Sequence, residues 1–90
     1  MIRIELFGFG TGAVPGVLTA LRALLSSKSY IQTNLIYFSI IPSEVIDFNG
    51  RDMAFIRVIG HMDRDSEIAR LINDELNIEV EFQVLNQHYV

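Results

Sequence analysis

Gly8-Phe-Gly-Thr-Gly-Ala13 has the G-x-G-x-x-G/A spacing that lets a strand-to-helix turn approach a phosphate closely. With 90 residues, however, the chain is too short for a doubly wound dinucleotide domain, and no acidic residue ends a second strand about 20 residues further on. Dinucleotide binding is therefore set aside. The turn keeps a simpler capacity, since backbone amides at a helix start can receive a small anion. His61 follows Ile59-Gly60 at the end of a predicted strand, where an imidazole could reach a site at the sheet edge. With only His61 and His88 in the chain, and neither paired with carboxylates at helical spacing, no metal site is expected. Asp63, Asp65 and Glu67 are explained as caps and first-turn charges of a helix. Glu79 and Glu81 share one face of the last predicted strand. They would make an acid-base pair only if one carboxyl were raised in pKa, whereas pairing with Arg3 and Arg57 on neighbouring strands accounts for both.

The elements that must carry these residues follow from hydrophobic period. Ile2, Ile4 and Leu6 alternate with Arg3, Glu5 and Phe7, a strand with one face in a core. A helix opens near Thr11 or Gly12, tolerates Pro15 in its first turn, and buries Val14, Val17, Leu18, Leu21, Leu24 and Leu25. Ser26, Ser27, Lys28 and Ser29 end it in a polar connection. Asn34 to Ile41 is apolar almost without interruption, which predicts a strand covered on both faces in the middle of a sheet, which Pro42 ends or confines to an edge there. Asp47-Phe-Asn-Gly50 predicts a tight turn. Met53 to Ile59 then alternates Ala54, Ile56 and Val58 against Phe55, Arg57 and Ile59. After Asp63 or Asp65 comes a helix with Ile68, Ala69, Leu71, Ile72 and Leu76 inward, stopped at Asn77. Ile78 to Val84 alternates as the last strand, and Leu85 to Val90 has no readable pattern. The order is β-α-β-β-α-β, an α+β (α/β) domain with a four-stranded sheet and both helices on one face. Two architectures share it: a ferredoxin-like sandwich, in which the halves interleave, and a tautomerase-like arrangement, in which two βαβ units lie side by side.

Composition bounds the function. Half of the residues are hydrophobic, enough for one domain spanning 1–90 with a single core. A net charge of -4 and scattered Lys and Arg lack the footprint of a nucleic-acid binder. No apolar run approaches the roughly 20 residues of a membrane helix. Arg3 and Glu5 interrupt the first apolar run, so no signal peptide is read. The absence of cysteine suits a reducing compartment, so the expectation is a cytoplasmic protein without disulfides. High apolar content in so short a chain predicts burial against other subunits. The second face of the sheet agrees. Arg3, Glu5, Phe7, Tyr37, Ser39, Phe55, Arg57, Glu81 and Gln83 mix aromatics with opposite charges, as an interface does.

Val14-Pro-Gly16 opening the first helix, Ile40-Ile-Pro-Ser-Glu-Val45, Phe48-Asn-Gly50 and Val58-Ile-Gly60, in this order and spacing, resemble the tautomerase superfamily that includes macrophage migration inhibitory factor. The likeness covers nearly the whole chain. It implies a homotrimer with the sheets facing a central axis, a pocket at each subunit interface, and no cofactor. The family's chemistry uses an amino-terminal proline whose secondary amine moves a proton in keto-enol isomerisation. Here Met1 is followed by Ile2, so that place is held by a primary α-amine, a base only if desolvated. The resemblance further sets Lys28 near the place of a substrate-binding lysine, Ile59 at a backbone donor, and Glu81 and Gln83 where tyrosine and asparagine line the pocket. Three functions are open at this point. They are a proline-independent binding protein for a small carboxylate-bearing ligand or a protein, an isomerase using the Met1 amine with Lys28, and a ferredoxin-like regulatory module binding a metabolite at Gly10 and Gly12.

Overall fold

The structure is a computed structural model that describes residues 1–85; residues 86–90 of the patternless tail, His88 among them, lie outside the described residues. Its elements are β1 (Ile2–Phe7), α1 (Val14–Ser26), β2 (Ile36–Ile41), β3 (Phe55–Gly60), α2 (Ser66–Leu76) and β4 (Val80–Val84), with single turns of 3-10 helix at Thr33–Leu35 and Asp63–Asp65. The sheet order is β2-β1-β3-β4. β1 is parallel to β2, β3 is parallel to β4, and β1 meets β3 antiparallel in the centre. Each βαβ half is thus intact. Interleaved halves would separate β1 from β2, so the ferredoxin-like alternative, and the regulatory module built on it, is corrected by the strand order.

Register explains the core. Ile4 and Leu6 of β1 lie beside Val58 and Ile56 of β3, and all four are essentially without solvent contact. Leu21 and Leu25 of α1 and Ile68, Ala69 and Ile72 of α2 close over them, which places both helices on one face as the 3.6-residue period predicts. α1 is entered through the Gly10 carbonyl, which accepts from the amides of Ala13 and Val14 at 2.9 and 3.2 Å. α2 ends at Asn77, in the left-handed conformation at φ 53°, whose amide donates to the Asn73 carbonyl at 3.1 Å.

Several sequence expectations need correction. β2 begins at Ile36, because Thr33–Leu35 coils into a 3-10 turn, and it is an edge strand, not a central one. Its apolar run leaves Ile40 and Tyr37 exposed. β3 begins at Phe55 because the Met53 amide is used by the Val45 carbonyl at 2.9 Å, inside the preceding hairpin. β4 begins at Val80, since the Ile78 carbonyl accepts instead from the Asn73 side-chain amide at 2.9 Å. Asp65 does not cap α2 forward. Its carboxylate turns back to receive the amides of His61 and Met62 at 3.1 and 3.2 Å, closing the turn out of β3.

Candidate functional site

Two regions of the molecule gather polar groups. The first is the helix-free face of the sheet, whose residues are set in rows by the strand register. Tyr37, Arg3, Ile59 and Gln83 stand in one row, Ser39, Glu5, Arg57 and Glu81 in the next, and Ile41, Phe7 and Phe55 in the third. Phe7 and Phe55 stack with ring centroids 4.7 Å apart, and the Arg57 guanidinium lies 4.9 Å from the Phe7 centroid. Arg57 is shared between two carboxylates: its Nε donates to Glu81 Oε1, and its Nη1 lies 3.6 Å from Glu5 Oε1. Arg3 reaches Glu5 from the other side at 3.6 Å and donates through Nε to the Tyr37 hydroxyl at 2.9 Å. That hydrogen bond, with the nearby Glu5 carboxylate, raises the Arg3 pKa. Glu5 is only 7% exposed, and its Oε1 has no hydrogen-bond partner among the described residues. A carboxylate buried between two arginines is costly to strip of either one.

The sequence placed Glu79 and Glu81 together against Arg3 and Arg57. The Arg57–Glu81 pair forms, but Arg3 turns to Glu5 and Tyr37, because Glu79 lies outside β4 and contributes only its carbonyl, which accepts from the Ile56 amide at 2.9 Å. Glu5 as the hub of the network was not singled out by sequence. Sequence shows only that Glu5 stands two residues after Arg3 on one strand face; its place directly opposite Arg57 comes from the register.

The second region is a cleft of about 290 Å³ at the start of β1, between the segment after α1 and the first turn of α2. Ile2, Ile31, Leu35 and Ile68 give it an apolar lining, while Tyr30, Gln32, Arg64 and Glu67 bring polar groups to it. Met1 precedes this cleft by one residue and is 70% exposed. Lys28, half-buried in the turn where its carbonyl accepts from the Ile31 amide at 3.1 Å, is outside the lining. Ile59, Glu81 and Gln83 stand on the helix-free face, so within one chain the five candidates do not converge on one surface. Arg64 is the cation that borders the cleft, concealed in the sequence inside the Asp63-Arg64-Asp65 run read as capping charges.

The glycine-rich turn is less of a cradle than its spacing suggests. Gly8, at φ 77°, is required by close approach: a Cβ there would sit 2.0 Å from the Met53 carbonyl oxygen. At Gly10 and Gly12 an added Cβ would meet nothing within 4 Å. Among the described residues no cluster of His, Asp or Glu is arranged to hold a metal ion, and no helix is long and apolar enough to cross a membrane.

No family model matches the chain, and no curated protein matches it. Solved structures do share its fold. A domain of unknown function (DUF1904) from Sebaldella termitidis superposes with a TM-score of 0.68 at 20% identity, covering 100% of this chain and 95% of that one. A protein of unknown function from Vibrio cholerae gives 0.66 at 18%, with 99% and 83% covered. A macrophage migration inhibitory factor-like protein from Entamoeba histolytica gives 0.54 at 13%, with 99% and 93% covered. The chain is therefore similar in fold to a tautomerase-type, migration-inhibitory-factor-like protein.

Proposed function

We propose that this single-domain, cytoplasmic chain works as a homotrimer that binds a small carboxylate-bearing ligand or a protein at its subunit interfaces, without proline-based keto-enol chemistry. The observation that carries this reading is the helix-free face. Stacked aromatics and a shared arginine–carboxylate network on the uncovered side of a sheet suit a surface that meets copies of itself. The fold likeness supports the same arrangement. In it, Ile59 supplies a backbone donor while Glu81 and Gln83 reach a neighbour's pocket, so that residues on two surfaces of one chain come together between chains.

A second reading is favoured by the cleft beside Ile2. In this reading the Met1 α-amine acts as the base of an isomerase, and Lys28, which lies outside the cleft lining of one chain, receives a substrate carboxylate in the assembled protein. Met1 is 70% exposed in the isolated chain, so this reading needs a neighbouring subunit to cover the amine before it can act.

A keto-enol assay with phenylpyruvate tests both. The native chain is compared with a variant in which proline stands directly before Ile2. The preferred reading expects native turnover near background and measurable turnover in the variant, because positioning and apolar surroundings are already supplied. Substantial native turnover abolished by acetylating the Met1 amine would establish the second reading in its place.

A further inference from the structure

The hairpin that follows β2 ends in a bare phenyl ring. Asp47 holds it rigidly: its carboxylate accepts from the amides of Asn49 and Arg51 at 2.8 and 2.9 Å, and its carbonyl from the Gly50 amide at 3.0 Å. Gly50 turns the chain at φ 83°, and Ile46 bridges Asp52 across the hairpin. On this fixed tip Phe48 is fully exposed and Ile46 is 55% exposed. Beside the start of β2, α1 and that strand border a cleft of about 390 Å³ floored by Leu25, Ile36 and Phe38, with the Arg22 guanidinium 5.7 Å from the Phe38 centroid. Among the described residues the outer edge of β2 has no strand beside it. Charge separates the two surfaces in the matching sense. From Gly8 to Ser43 the charged residues are Arg22 and Lys28 alone, whereas the hairpin carries Glu44, Asp47 and Asp52 against Arg51.

We propose that Phe48 of one copy fills the α1–β2 cleft of a second copy, with the acidic hairpin lying along the free edge of β2 next to Arg22. The proposal rests on the homotrimer reading and names the contact that holds it. Hairpin and cleft are different surfaces, so the contact is heterologous. Each copy gives one ring and receives one, and three copies close the cycle. An aromatic anchor in an apolar pocket rimmed by charge has the form of an interface hot spot.

The chain has no cysteine, so an engineered pair reports cleanly. Thr33 lines the cleft, and the Phe48→Cys/Thr33→Cys variant under mild oxidation is expected to give covalent species of up to three chains, with neither single variant doing so. In sedimentation equilibrium, Phe48→Asp is expected to weaken association about 30-fold per contact while leaving the far-ultraviolet dichroism unchanged. A native trimer that Phe48→Asp leaves intact, with no cross-link, would overturn this contact and leave the homotrimer standing. A monomeric native chain would remove both. Covalent species that stop at two chains would show reciprocal exchange and contradict the ring.

Discussion

The two faces of the sheet come from the same four strands and meet opposite fates. Toward α1 and α2, Ile4, Leu6, Ile56 and Val58 are sealed in a dry core by apolar partners that the chain itself brings. Away from the helices, the alternate residues of the same strands, Arg3, Glu5, Phe7, Phe55 and Arg57, satisfy one another sideways. The first face is completed by local sequence, because each crossover helix must fold back onto the strands it joins. The second has lateral pairing and no cover within the described chain. A surface of that kind holds little of the folding energy and much of the capacity for recognition.

This contrast sets an order of expected effects. On the covered face, Ile72→Ala removes a side chain with no solvent exposure and is expected to cost about 3 kcal/mol, read as a lowered midpoint of urea unfolding at fixed chain concentration. A cost below about 1 kcal/mol would mean that the helix side is not the core of stability. On the open face, Glu5→Ala leaves Arg3 and Arg57 facing a gap. Both arginines are partly exposed, so the expected cost is about 1–2 kcal/mol, and Glu5→Gln should recover the packing but not the charge. An unchanged midpoint in Glu5→Ala would show the network to be ornamental for the fold. The smallest effect is expected for Tyr37→Phe, which removes only the acceptor of the exposed Arg3 hydrogen bond, within about 0.5 kcal/mol by the same unfolding measurement.

What the sequence disclosed follows the same division. Period two in β1 and β3, period 3.6 in α1 and α2, the turn at Gly50 and the stop at Asn77 are local signals, and each element is found in the expected place, with β3 and α1 starting about two residues later than the pattern suggests. β2 misled because a continuous apolar run says that both faces meet something, not that the something belongs to the same chain. The glycine pattern misled in a different way. Gly8 answers to the Met53 carbonyl 45 residues away, a contact that spacing cannot reveal, while Gly10 and Gly12 face open space. Glu5, Arg64 and Phe48 were illegible as candidates because their settings, a lateral network, a cleft and a hairpin tip, exist only once separate segments are brought together. The candidate residues Met1, Lys28, Ile59, Glu81 and Gln83 came from family likeness, and their convergence depends on subunit assembly.

Sedimentation equilibrium at micromolar concentration tests that assembly most directly. The homotrimer predicts a single species at three times the 10.2 kDa chain mass, persisting on dilution through the micromolar range. A stable species at the mass of one chain would contradict it, leave the helix-free face a solvated surface, and remove the interface at which ligand binding is proposed.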